Sequence, residues 1–290
     1  MRNAVIFALL LGVAPPAAAD ADMSQVDALF GRKPAVSGDV MRYGFPRSDL
    51  KVVVDGVTLK PALALGGWVA FKALRSGAMI MGDLVLTENE INPVMAKLLS
   101  EGVEVTALHN HLLRANPPTY YMHVGGMGDP VKMATAIRDA LALTATPMIA
   151  PAAGNPPPLD LDAGALDKAL GAKGKAVGGV YQFAIARDDV VNVSGMAAPA
   201  SMGSADVVNF QPTGGGKAAI TGDIVALAAE VEPLITALRK SGIEVTAIHN
   251  HMLEDAPRTF FIHFWANDDA VKLAAAMRSA IDAKHAGSNK

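Results

Sequence analysis

The segment "VTALHNHLL" at residues 105–113 returns as "VTAIHNHML" at residues 245–253, and a further histidine follows each one. His109, His111 and His123, with His249, His251 and His263, are six of the seven histidines in the chain; the seventh, His285, sits in a polar tail. A neutral imidazole is a ligand for divalent ions and titrates close to physiological pH. Three that converge can fix an ion and leave a coordination position open for water or substrate. The chain has no cysteine, so a further donor has to be a carboxylate. Glu90 and Glu230 recur in register, each opening a helix-like segment, and are the expected ligand or general base, the catalytic positions of the site. Asp83 and Asp223 recur in the same way and compete for that role. Imidazole and carboxylate without thiolate suit a divalent Zn, Fe, Mn or Cu ion. A hydrogen-bonded structural histidine cluster and a pocket for a non-metal ligand are the alternatives.

Strand alternation governs where these rings point. Side chains on a strand alternate with period two, so His109 and His111 are expected on one face with Val103, Val105 and Ala107. A turn at Pro117-Pro118 folds the next strand, "TYYMHVGG", back along it. A hairpin centred on Pro117 sets His123 opposite His111. The remaining elements are legible from pattern. "LKVVVDGVTL" alternates around an Asp55-Gly56 turn, a hairpin signal. "AMIMGDLVL" reads as a short apolar strand, and "EINPVMAKLLSEG" has helical spacing and stops at Gly102. "DPVKMATAIRDAL" opens on Asp129 as N-cap, with Pro130 at the first helical position.

The histidines belong to a larger repeat. An offset of 140 carries Gly82-Asp83 to Gly222-Asp223, Pro93 to Pro233, Arg138 to Arg278, Arg47 to Arg187 and Asp49 to Asp189. Between residues 77–142 and 217–282, 27 of 66 ungapped pairs are identical, which makes this a tandem duplication. Arg47–Asp49 and Arg187–Asp189 are expected as internal salt bridges or as an anion-binding wall. The fold class is α+β: two pseudo-symmetric domains, 24–150 and 166–285, each a mostly antiparallel sheet with a β-α-β-β-α ending. Residues 151–165, rich in Pro, Ala and Gly, form the expected linker. Copy two departs from copy one in its front half, where Trp68 and Phe71 fall against Val208 and Gln211 at the same offset.

Composition narrows the function classes. Net charge is −3, and there are only two Trp and four Tyr, so neither a phosphate footprint nor a stacking platform for nucleic acid is present. The HNH letters therefore do not mark a nuclease. "MRNAVIFALLLGVAPPAAAD" has a basic start, an apolar run and a small-residue cleavage site before Asp20. It predicts a signal peptide over 1–19 and a soluble periplasmic or secreted product without stable membrane insertion. "PTGGGK" at 212–217 lacks the spacing of a phosphate loop.

"GDLVLTENEINPVMAKLLSEGVEVTALHNHLL", its partner at 222–253 and the opening "PRSDLKVVVDGVTL" resemble the LppY/LpqO family, a bacterial domain of unknown function found in two copies. The resemblance implies the two-domain organisation and no particular reaction. Some members are exported lipoproteins; this chain lacks the cysteine that lipidation needs. The residues point to a metal site acting on a small envelope-derived substrate, or to a module that binds a metal or small ligand without turnover, or to a structural envelope protein.

Overall fold

The computed structural model describes residues 23–149 and 158–287. The expected signal peptide and the first half of the expected linker lie outside the described residues. Copy one runs α1 (Ser24–Phe30), β1 (Ala35–Ser37), β2 (Val40–Pro46), β3 (Val53–Val54), β4 (Val57–Thr58), α2 (Pro61–Ala64), β5 (Gly66–Ala73), β6 (Ala78–Leu86), α3 (Glu88–Ser100), β7 (Glu104–His109), β8 (Tyr120–Gly128) and α4 (Pro130–Leu141). Copy two runs α5 (Ala163–Leu170), β9 (Lys175–Val177), β10 (Val180–Ala186), β11 (Asn192–Val193), β12 (Met196–Ala197), a 3-10 turn (Ala200–Met202), β13 (Ala205–Gly214), β14 (Lys217–Leu227), α6 (Ala228–Lys240), β15 (Glu244–His249), β16 (Asp255–Ala256), β17 (Thr259–Asp269) and α7 (Ala270–Gly287).

Each copy builds one six-stranded antiparallel sheet, in the order β1-β2-β5-β6-β8-β7 and its equivalent β9-β10-β13-β14-β17-β15. The fold is α+β, with the expected ending β6-α3-β7-β8-α4 and its repeat. Local signals did their work where expected. Asp129 accepts the Lys132 amide at 2.9 Å as the N-cap of α4, a contact whose loss costs about 1 kcal/mol. Asp55 adopts φ 48° in the β3–β4 turn.

The helices cover one face of each sheet. Val26 and Phe30 of α1, Val94 and Leu98 of α3, and Ala134 and Ile137 of α4 close over Ile80, Leu84, Met122 and Val124. The other face is buried against the second copy. β6 is buried at all nine positions, which is why "AMIMGDLVL" reads as an unbroken apolar run and not as an alternation. Its even and odd residues feed different cores: Ile80 and Leu84 lie under the helices, while Met79 and Met81 join Val225, Met252 and Phe261 of copy two.

Two arms lock this seam. The β3–β4–α2 arm of copy one lies on copy two, where Asn209 Nδ2 donates to Leu63 O (3.1 Å), Gln211 Nε2 to Thr58 O (2.8 Å) and Gln182 Nε2 to Ala62 O (2.7 Å). The β11–β12 arm of copy two lies on copy one, where Lys72 Nζ donates to Ala197 O (2.8 Å) and Arg42 Nη1 to Ser201 O (3.1 Å). At the centre the exchange is reciprocal: Thr106 Oγ1 donates to His251 O at 2.5 Å, and Thr246 Oγ1 to His111 O at 2.6 Å.

Candidate metal centre

A bulge decides where the histidines point. β7 pairs with β8 in register Val105↔Val124, then Ala107↔His123 and His109↔Tyr121, with a shift at Thr106. One extra residue moves every later side chain to the opposite face. Val103 and Val105 therefore enter the helix-side core, while Ala107 and His109 turn to the seam alongside His123. The sequence expectation, which kept Val105 and His109 on one face and paired His123 with His111, is corrected on both points. His111 lies beyond the end of β7, and His123 faces Ala107. Copy two repeats the bulge at Thr246, with Ala247↔His263 and His249↔Phe261.

The rings still converge, and they do so across the copies. His109 stacks on its own repeat, His249, at 3.5 Å between ring centroids. His111 lies 3.8 Å from His263, and His123 lies 3.8 Å from His251. Two triplets expected as separate sites thus form one six-imidazole cluster at the seam. Tyr121 and Phe261 floor it, stacked on His111 and His251 at 3.3 and 3.4 Å.

Two carboxylates complete the centre. Asp83 of β6 pairs across the sheet with His123, and Asp223 of β14 with His263. Asp223 approaches His251 Nε2 at 3.0 Å and His263 Nε2 at 3.9 Å. Asp83 stands 3.7 Å from His111 Nε2. Four overlapping sets of donor atoms each fall within 4.8 Å: Asp223-His249-His251-His263, Asp83-His111-His123, His109-His123-His249 and His109-His111-His263. Donors on one tetrahedral ion at about 2.0–2.1 Å stand roughly 3.3 Å apart, so these spacings are of coordination scale.

Glu90 and Glu230 do not belong to these sets. Arg47 binds Glu90 through Nη1 at 2.7 Å and Nη2 at 3.1 Å, and also holds Asp49 and Val85 O. Glu90 accepts the Thr87 and Ala145 amides as well. Arg187 repeats the arrangement with Glu230, Asp189 and Val225 O. Both glutamates anchor a helix start to a buried arginine, so the geometry assigns the pair to structure, and Arg47 and Arg187 to internal ion pairs. Asp83 had its own sequence signal: it is the lone charge in an otherwise apolar strand.

Burial and partners set the protonation of the cluster. Desolvation, reinforced by the neighbouring imidazoles, holds His109, His111, His123 and His251 well below the usual histidine range. It lowers His249 and His263 to about 4. All six rings are therefore neutral at pH 7, the form that ligates. Burial, then the charge of Asp223, pushes Asp83 up to about 8. His263 Nδ1 lies 2.7 Å from Gly222 O, and His123 is hydrogen-bonded to the Gly82 backbone, which aims the Nε2 atoms at the centre. Glycine is required at these carbonyls: a Cβ on Gly82 would stand 2.7 Å from Trp68 O, and one on Gly222 would collide with Val207 O.

Seven ring or carboxylate atoms of this cluster are buried without a hydrogen-bond partner: Asp83 Oδ1, both His109 nitrogens, Nε2 of His111, His123 and His251, and Asp223 Oδ1. Buried polar atoms are otherwise satisfied in folded proteins, so a concentration of orphans in one place suits groups positioned to bind a cation.

The comparisons with known proteins agree with the duplication. A family model described as Domain of Unknown Function (DUF1259) matches residues 24–143 and again residues 164–283. The chain belongs to this family. Among curated proteins, none matches the chain. Two solved structures are similar to it: a trimeric bacterial microcompartment shell protein, PduB, at 15% identity over 87% of this chain and 90% of that one, TM-score 0.22, and EtuB from Clostridium kluyveri, at 12% identity over 88% and 92%, TM-score 0.21. At these scores neither carries an argument.

Proposed function

We propose that this protein is an exported divalent-metal-binding protein of the LppY/LpqO type, whose centre lies at the seam between its two copies. The observation that carries the reading is the group of seven orphaned donor atoms on four of the six neutral imidazoles and on both aspartates. Zn²⁺ is the ion that best suits this borderline nitrogen and oxygen set without thiolate; Fe²⁺, Mn²⁺ and Cu²⁺ share the chemistry. In place of the glutamates, Asp83 and Asp223 are the carboxylate donors. A metal-assisted reaction on a small envelope-derived molecule is the second reading. It is favoured by the sets of only three donors, which leave a coordination position open on an ion they hold.

Export rests on the signal-like start, and among the described residues no helix is long and apolar enough to cross a membrane. Intact-mass measurement of the periplasmic protein is expected to find a chain beginning at or within a few residues of Asp20; full-length protein in the cytosol contradicts export. Elemental analysis of protein purified without chelators tests the metal reading. A stoichiometric transition metal, lost with the His109→Ala/His249→Ala pair, supports it. Metal-free protein that takes up no ion on dialysis against Zn²⁺ overturns it.

A further inference from the structure

The donors are too many for one ion. Six imidazoles and two aspartates make eight side-chain ligands, whereas a zinc-like ion takes four and rarely more than five. A single ion on Asp223, His249, His251 and His263 satisfies copy two and leaves Asp83 Oδ1, both His109 nitrogens and Nε2 of His111 and His123 buried and unpaired. Leaving such groups unsatisfied is costly. A second ion on the copy-one set resolves them.

The two half-sites are not equal. Copy two gathers all four of its donors within coordination range, with His249 Nε2 2.8 Å from His263 Nε2 and Asp223 3.0 Å from His251. Copy one gathers Asp83, His111 and His123, at a looser 3.7 Å between Asp83 and His111. Its fourth donor, His109, lies in sets that also contain His249 or His263. The walls differ in charge as well. Arg42, stacked 3.6 Å over the Trp68 ring, acts electrostatically on Asp83. At the matching place copy two has the neutral Gln182, which is engaged with the copy-one arm. A fixed positive charge beside one half-site disfavours a cation there, and a first bound ion disfavours it further.

Resting on the metal reading above, we propose that the seam holds two divalent ions: a tight one on Asp223, His249, His251 and His263, and a weaker, exchangeable one on Asp83, His111 and His123 completed by His109. The pair forms an adjacent two-ion centre, the arrangement that clamps a bridging oxyanion between metals.

The test is a calorimetric titration of the chelator-stripped full chain with Zn²⁺, read beside equilibrium dialysis. Two equivalents binding in two steps, with dissociation constants at least tenfold apart, is the expected result. The isosteric change Asp83→Asn should weaken or remove the second step and leave the first within about twofold, while Asp223→Asn weakens the first step at least tenfold. Saturation at one equivalent overturns the two-ion proposal while leaving the metal reading intact. Two steps that respond to Asp83→Asn and Asp223→Asn alike overturn the inequality. Uptake of no Zn²⁺ at all overturns the metal reading itself. The wild-type stoichiometry needs no variant, so the proposal stands or falls even if a substituted chain fails to fold.

Discussion

Copy one and copy two each bring one aspartate and three histidines to the seam, yet only copy two closes all four into a compact set. Asp223 reaches its histidine at 3.0 Å and Asp83 at 3.7 Å. The cause lies in the walls. Arg42 and Trp68 stack beside Asp83, whereas Gln182 and Asn209 of copy two spend their side chains holding the other copy's arm. Copy two also buries a salt bridge that copy one lacks: Lys284 Nζ to Asp206 Oδ2 at 2.5 Å, with Lys284 also donating to Val225 O. At the equivalent positions copy one has Thr144 and, by sheet register, Gly67. Duplication supplied the donors twice, and packing the two copies together made their surroundings different.

The largest expected effect is acid sensitivity of the metal-free chain. A histidine whose folded pKa is depressed contributes stability that is present above its unfolded value of about 6.5 and is lost as pH falls below it. Six such groups act together. Asp83, raised to about 8, works the other way: its contribution is present at low pH and lost as pH rises toward 8. The imidazoles outnumber it, and each net proton taken up only by the unfolded chain costs about 1.4 kcal/mol per pH unit. Melting temperature should fall steeply below pH 6.5. In histidine proton spectra, His249 and His263 should titrate near pH 4 ahead of the copy-one rings. A melting temperature flat from pH 7 to 5 contradicts the buried neutral cluster.

Next in size is Lys284→Ala, which strands Asp206 in the interior and should cost about 3–5 kcal/mol in urea unfolding. Thr144→Ala, its counterpart in copy one, loses only the hydrogen bonds to Leu141 O and Thr146, and about 0.5–1.5 kcal/mol. Equal costs would erase this part of the contrast.

Zn²⁺ at a hundredfold excess over its dissociation constant should stabilise the chain by about 2.7 kcal/mol. The His109→Ala/His249→Ala pair should abolish the gain while circular dichroism stays native. An unchanged response in the double variant breaks the link between the seam and the metal.

Arg42→Gln, which gives copy one the residue of copy two, is the smallest expected effect. It should tighten the weaker Zn²⁺ step a few-fold and leave the tighter one alone. A weakened second step would mean that Arg42 helps to assemble the copy-one set and does not oppose its ion.

Much of this was legible in the sequence. The offset of 140 gives the duplication, the Asp129-Pro130 and Asp55-Gly56 signals place a helix start and a hairpin, and the repeated histidines mark the centre. Three features were hidden for physical reasons. The bulge falls at Thr106, whose hydroxyl donates to the other copy, and local alternation carries no trace of it. The merging of two triplets depends on how the sheets meet, which is tertiary. The offset also fails locally: Phe71↔Ile80 in copy one matches Phe210↔Ile220 in copy two. The hairpin before β14 thus has one residue more, and Trp68 corresponds to Val207, not Val208. Glu90 misled because a carboxylate repeated near a metal-like cluster looks the same in sequence whether it faces an ion or an arginine.

Anomalous scattering at the zinc edge from crystals of the Zn²⁺-loaded chain would locate the ions outright. Density is expected at the seam, with an ion within about 2.0–2.2 Å of donors from Asp223, His249, His251 and His263. A fully occupied second peak is expected beside Asp83 only at higher Zn²⁺. Peaks confined to the outer surface, with the seam histidines hydrogen-bonded to one another and to water, would contradict a metal centre at the seam.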